Sequence, residues 1–426
     1  MMAKDPLEPD AATSGTSGSE GAGSWRHDPA TRLPQGIEEH TGARIARVRK
    51  SRHLTQRELA DKSHVSYSTI TKVEQGNMPA SPSVTGALAR ALSVPVSDLT
   101  GQPYIEELRH DQLDGLIQPI REALDVYDLG PDPEVAPRTL DALRSDTERL
   151  CSLVRATDLK TAAAELPGLI HEATAAAYTE GTDRAWQILA SAYRTAYDVT
   201  TKLGYSDLCT VALDRVEWAA QRGSDPVLSG MRQYMRALVY LRAAQYGTGH
   251  RLIRMGLSAM EQAAPGRERD VVTGQLHLGA AVLAARSKDG DAADGHLAEA
   301  ERIAKRTGEA IETHWLAFGP TNVGVHKVSS LAERDMYPEA VAAAEGLTLP
   351  DDWPPSRMAH HYAEVARAQL WMGRTKDSFG SLQKARKVAP QQTRYHPLVR
   401  ETYVGLAHAR RSMPETFTGF GAWLGR

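Results

Sequence analysis

Cysteine is nearly absent. Cys151 and Cys209 are the only two in 426 residues, which excludes a disulfide framework. Both read as small core residues of a protein kept in a reducing cytoplasm. No run of about 18 apolar residues occurs, so no transmembrane helix is expected. The start of the chain carries acids, Gly and Ser without an apolar stretch, so no secretory leader is expected. Alternating β-branched runs are missing, which argues against a sheet. Catalytic signatures are missing too: there is no HExxH, GxxxxGK[ST], GxSxG or CxxC. The pair His360-His361 has no spaced acidic or Cys partner, and Asp351-Asp352 runs into Trp-Pro-Pro as a loop. No metal, cofactor or enzymatic activity is expected.

What is present is an uneven distribution of charge. Hydrophobic residues make up 41% and charged residues 24%, and the net charge is −3. Residues 42–100 hold 9 Lys+Arg against 4 Asp+Glu, whereas the stretches on either side are each acidic by four charges. One basic region in an acidic chain is the footprint of a nucleic-acid contact.

The same region carries the sharpest pattern. Thr55 followed by Glu58 is a capping box, and Leu59 and Ala60 face inward behind it. The helix should stop near Ser63-His64. Ser66 should cap a second helix with Ile70 and Val73 on its buried side. Upstream, Ile45 and Val48 lie one turn apart among arginines. Downstream, Ser81-Pro82 opens a helix carrying Val84, Leu88 and Leu92, and Val96 and Leu99 close the unit. Ile45, Leu59, Ile70, Val73 and Leu88 are expected core.

Residues 42–100 resemble the phage-repressor/Cro-like helix-turn-helix, or XRE, family, through TQxELA, VSxSTIxxxEQG and the Leu-Ala-Leu helix. His64 stands where the family usually has Gly at a left-handed turn. The resemblance implies a five-helix, lambda-repressor-like domain over 37–101 that binds double-stranded DNA. It places Gln56 at a phosphate, and Tyr67, Ser68 and Lys72 at base edges. Arg57, Ser66, Thr69, Thr71 and Asn77 complete the implied DNA-binding set. It also makes Arg49 and Glu74 a structural ion pair.

The rest reads as all-α. Residues 1–36 are too polar to order themselves and are expected to be a disordered tail. A linker helix is expected within 102–137, interrupted near Pro119. Residues 138–410 carry helices of 12–20 residues with Gly, Asp or Pro punctuation, and 411–426 are expected to be a C-terminal tail. Tyr362 to Pro390 and His277 to Ala300 fall in a tetratricopeptide-like register with a period of about 34 residues. Met235–Met260 and Ala185–Ala219 fit it more loosely. The expectation is a TPR-like α-solenoid. Tyr178, Trp186, Tyr193, Tyr197 and Trp218 read as core.

One stretch of the solenoid stands out, WLAFGPTNVGVHK from Trp315 to Lys327. Asn322 is one of two Asn in the chain, and its amide suits clamping a peptide backbone. Phe318, Thr321 and His326 lie within about a turn of it and complete a candidate ligand site. A competing reading makes Asn322 and Thr321 helix caps and His326 an interior histidine.

The whole architecture resembles two groups, the peptide-sensing regulators of Gram-positive bacteria and the XRE–TPR regulators common in actinobacteria. Composition favours the second. The resemblance implies a cytoplasmic homodimeric regulator whose solenoid takes a peptide, small-molecule or protein ligand, with no membrane partner. The alternative is an adaptor whose solenoid binds a protein while the helix-turn-helix only localises it.

Overall fold

The computed structural model describes residues 40–409 and 415–425. The expected tail over 1–36 lies outside the described residues. Helices α1 (Thr41–Ser51), α2 (Gln56–Ser63), α3 (Tyr67–Glu74), α4 (Pro82–Leu92) and α5 (Val96–Thr100) form the head. Each of the first four starts where a side chain can accept an orphan amide: His40, Thr55, Ser66 and Ser81 all do so. His64 ends α2 in the left-handed region, at φ 56°, as the turn requires. Ile45, Leu59, Ile70 and Leu88 are fully buried at the centre, with Val73 beside them.

Residues 102–137 are not a linker helix. They form α6 (Ile105–His110), a 3₁₀ turn (Asp114–Leu116) and α7 (Ile117–Asp125), with the break before Ile117 and Pro119 inside the first turn of α7. A proline is tolerated there because that amide has no intrahelical partner. Tyr104, Leu108, Leu113, Ile120 and Leu124 are buried in the large core of the repeat region. These apolar residues recur at helical spacing, so the segment is recruited into the core.

Six helix pairs follow in series, each packed across a short connection. They are α8 (Leu140–Ala156) with α9 (Leu159–Glu180), α10 (Asp183–Leu203) with α11 (Ser206–Arg222), and α12 (Pro226–Arg242) with α13 (Tyr246–Gln262). Then come α14 (Arg267–Arg286) with α15 (Gly290–Thr307), α16 (Pro320–Glu333) with α17 (Tyr337–Glu345), and α18 (Pro355–Trp371) with α19 (Thr375–Val388). Successive pairs begin 35 to 53 residues apart, longer than the expected 34. Long helices, up to 22 residues in α9, and the connection over residues 308–319 between α15 and α16 account for this. Among the described residues no strand forms, and the one isolated bridge joins Ala310 to Phe318.

The array ends in α20 (Pro390–Arg394), α21 (Pro397–Ala409) and α22 (Glu415–Trp423). The last is a correction to the expected tail: Phe417, Phe420 and Leu424 are buried against Phe379, Tyr403 and Leu406. Three large apolar residues spaced by three and four make one stripe, which a polar tail would not carry.

The end of the array packs back on its beginning. Arg400 donates to Glu107 at 2.7 Å with both side chains buried. Arg394 donates to Asp111 at 2.6 Å, and Tyr395 bonds the same carboxylate. The Leu159 amide donates to Gln391 at 3.1 Å, and α8 touches α18. The head rests on this closed array within one compact unit, residues 38–426. Arg90 donates to the Ala244 carbonyl at 2.6 Å, and a Cβ on Gly86 would lie 2.3 Å from the Ala244 methyl. Glycine permits that approach. At the other side Thr41 donates to Glu401, and His408 bonds the Gly76 carbonyl.

Candidate nucleic-acid interface

Two short helices place the candidate residues. The Thr55 hydroxyl accepts from the Glu58 amide at 3.2 Å, and Glu58 accepts from the Thr55 amide at 2.7 Å. The bonds that the Glu58 carboxylate accepts from the Thr55 amide and hydroxyl hold it below its ordinary range. The box fixes the start of α2, and Leu59 anchors it. Ser66 accepts from the Thr69 amide at 3.1 Å and starts α3. Ile70 and Val73, buried, hold one side of α3 against the core. Helical geometry then turns the other side outward.

That outward side carries Tyr67, Ser68 and Lys72, all exposed, with Tyr67 at 47%. Arg57, exposed on α2, holds its guanidinium 5.7 Å from the Tyr67 ring centre. The basic groups Arg57 and Lys72 therefore bracket an aromatic and a hydroxyl on one open surface. Asn77, just beyond α3, is also exposed and donates to Gln75 at 3.0 Å.

The remaining members of the set are occupied within the head. Gln56 donates to Glu74 at 2.8 Å and accepts from Thr71 at 3.3 Å. One of its two amide hydrogens is thus committed to bracing α2 on α3. Thr71 also donates to the Tyr67 carbonyl at 2.9 Å. Ser66 and Thr69 share a hydroxyl contact at 2.8 Å. Gln56, Thr69 and Thr71 are partly buried and hold the helices in place; Ser66 caps α3 yet is exposed, and with Arg57, Tyr67, Ser68, Lys72 and Asn77 it forms the exposed part.

Arg49 and Glu74 form a two-pronged pair. Nε and Nη2 of Arg49 meet the two carboxylate oxygens at 2.7 and 2.8 Å, and Nη1 donates to the Leu54 carbonyl at 2.6 Å. The hydrogen bonds to Glu74 raise the Arg49 pKa above its ordinary value. The pair ties α1 to the end of α3 and fixes the angle at which α3 is presented.

The candidate ligand residues of the repeat region are mostly buried. Phe318 is fully buried in the core, where a Cβ on Gly274 would lie 2.1 Å from its Cζ. Thr321 donates its amide to Glu309 at 2.8 Å. Asn322 is fully buried and donates to Gln275 at 3.2 Å, which in turn donates to the Tyr234 hydroxyl at 2.7 Å. His326 contacts the Asn322 carbonyl at 2.8 Å and is half-buried. Burial and the nearby Arg357 push its imidazole down to about 4, so it is neutral at pH 7. Of the four, only His326 keeps substantial accessible surface.

Of the aromatic group, Trp186, Tyr193 and Tyr197 are core, but Tyr178 is 39% exposed and Trp218 half-buried. Arg222 stacks 4.0 Å over Trp218, which lets an aromatic residue sit near the surface. Sequence reasoning missed a cationic group on the inner side of the array, Arg155, Arg194, Lys202 and Arg357. Those residues are far apart in the chain, and no local spacing announces them.

Residues 45–99 match the helix-turn-helix family HTH_3. The immunity repressor protein of Bacillus phage phi105 is 30% identical over 108 residues, which are 25% of this chain and 65% of that protein. The competence pilus inhibition repressor of Acinetobacter baylyi is 40% identical over 58 residues, 14% of this chain and 53% of that protein. The chain thus spans between half and two thirds of these relatives. BtubC from P. vanneervenii aligns over 65% of this chain and 96% of its own, with 14% identity and a TM-score of 0.35. A point mutant of PrgX aligns over 89% of this chain and 99% of its own, with 8% identity and a TM-score of 0.24.

Proposed function

We propose that this chain, whose residues 45–99 match a helix-turn-helix family, is a sequence-specific DNA-binding transcriptional regulator of the XRE type. The observation that carries the reading is the exposed face of α3, with Tyr67, Ser68 and Lys72 outward and Ile70 and Val73 locked beneath. An α-helix of this kind enters the major groove, and Lys72 can donate to guanine O6 and N7 there. Arg57 at the start of α2 is placed for a phosphate. Gln56, Ser66, Thr69 and Thr71 position these groups. That both sequence relatives are named repressors supports a role in transcription control.

A single helix-turn-helix reads a short half-site, so the working form is a homodimer on two half-sites about 34–36 Å apart. The repeat array senses a peptide or other signal and shifts the separation of two heads, which requires unequal ligand affinity for the two arrangements. No described helix is long and apolar enough to cross a membrane, and the proposed place of action is the cytoplasm.

The test is selection of bound fragments from genomic DNA by the full chain, followed by titrations at several salt concentrations. Lys72→Ala should lower affinity for the preferred site by roughly 5- to 150-fold, with much less effect on random DNA, since one bidentate base contact is worth about 1–3 kcal/mol. Arg57→Ala should weaken all sequences alike and reduce the salt slope by about one. Failure to enrich any sequence, or full retention of preference by Lys72→Ala, would overturn the reading.

A further inference from the structure

Arg194, in the middle of α10, is 2% exposed. A guanidinium stays charged in proteins, and a buried one needs acceptors. Its Nε and Nη2 have no hydrogen-bond acceptor among the described residues. The nearest carboxylate, Asp198, lies 4.0 Å from Nε and gives the same oxygen to Arg155 at 2.8 Å. Nε and Nη2 form one edge of the guanidinium fork. In Arg49 this edge takes both oxygens of Glu74, at 2.7 and 2.8 Å. Arg194 thus presents a two-oxygen binding edge that the chain itself does not fill.

Its surroundings are cationic. Arg155 on α8 and Arg357 on α18 act electrostatically both on Arg194 and on Lys202, the latter also on α10, with Asp198 the carboxylate among them. Their other partners are mainly neutral. Arg155 donates to the Trp315 carbonyl at 3.0 Å, Arg357 to the Leu316 carbonyl at 3.1 Å, and Lys202 to Gln392. Burial first, and then the neighbouring guanidiniums, push the Lys202 ammonium down to about 7. The cluster is not sealed. The Arg155 and Asp198 side chains expose 12% and 15% of their surface, and that of His360, one turn beyond Arg357, exposes 46%. Helices from the start and end of the closed array therefore converge on an inner face where the Arg194 edge is covered and its neighbours Arg155 and Asp198 keep some exposed surface.

We propose that this inner face is a receptor for a carboxylate, with Arg194 gripping both oxygens and Arg155 and Lys202 as flanking donors. A planar carboxylate matches a single fork edge, which favours it over a tetrahedral oxyanion. The carboxylate belongs to the C-terminus of a peptide or to a small organic acid. The site deepens the sensing role given to the array and rests on that reading for its consequence, but the binding step needs no DNA.

The test is calorimetry on the full chain without DNA. The probes are succinate, citrate, inorganic phosphate and a pool of random hexapeptides with free carboxyl ends, the acids and peptides each paired with their amides. At least one carboxylate probe should bind, with its amide at least tenfold weaker. Binding of the peptides alone identifies a chain terminus, and binding of succinate or citrate a free organic acid. Arg194→Met should lose that binding at least tenfold and melt no lower than the native chain, because it removes a buried, incompletely paired charge. Lys202→Met, at a half-buried position, gives a second reading if Arg194→Met does not fold. The proposal fails if no carboxylate binds, if the amides or phosphate bind equally, or if both variants bind like the native chain. Carboxylate binding without any preferred DNA site would sink the regulator reading and leave the receptor standing; the converse would do the opposite.

Discussion

Removing the Glu74 carboxylate should loosen the recognition helix more than any other single change in the head. Glu74 accepts three hydrogen bonds, two from Arg49 at 2.7 and 2.8 Å and one from Gln56 at 2.8 Å. The Arg49 and Glu74 side chains are only 10% and 6% exposed, so solvent replaces little of what is lost. Breaking such a pair from one side costs about 3–5 kcal/mol. Arg49 retains its bond to the Leu54 carbonyl, which places the cost for Glu74→Ala at the lower end, about 3 kcal/mol. Each 1.4 kcal/mol is a factor of ten, so amides of α3 should exchange with solvent roughly a hundredfold faster by local opening. Hydrogen exchange on the full chain reads this directly, with the α14–α15 amides as an internal control. The double variant Arg49→Met/Glu74→Met leaves no unpaired charge and should recover most of the protection. Exchange in α3 within a factor of about three of native, or a double variant no better than the single, would refute the reasoning.

Three further outcomes follow from the same geometry. His64→Gly should raise head stability by about 0.5–1 kcal/mol, because the left-handed turn strains any residue with a Cβ; a lower melting temperature would contradict the turn assignment. Gly274→Ala should destabilise by about 1–3 kcal/mol through overpacking against Phe318, visible as a loss in denaturant midpoint; no change would mean that Phe318 has room to move. His361 is buried, and burial pushes its imidazole down to about 4. The unfolded chain takes up that proton near pH 6.5 and the folded chain does not, so stability falls as pH drops from about 6.5 towards 4, by up to ~1.4 kcal/mol per unit. His361→Phe should make the pH dependence of melting shallower by that share, and an unchanged slope would remove His361 from the account.

The head was legible because its signals are local. Thr55 with Glu58, Ser66, Ser81-Pro82 and His64 each act within one turn of chain, and each does so in the structure. The Arg49–Glu74 pair bridges 25 residues and was reached through resemblance, since charge pairing at that distance has no periodic signature. Around α3 the pattern separated buried from outward positions. It did not reveal that Gln56 and Thr71 spend their hydrogen bonds on the head itself, because side-chain partners across two helices depend on the crossing angle.

In the array, sequence determined that helices would form and where they would break, since apolar spacing and Gly, Asp and Pro punctuation are properties of the chain alone. Only the tertiary structure decided which of them count as ends. The apolar residues of 104–124 and of 417–424 entered cores because neighbouring stripes covered them. The cationic inner face arose because α8, α10 and α18 meet when the array closes. Local preference chooses a helix within a few residues, whereas the environment of a charge is set by whatever the fold brings beside it, from any distance along the chain.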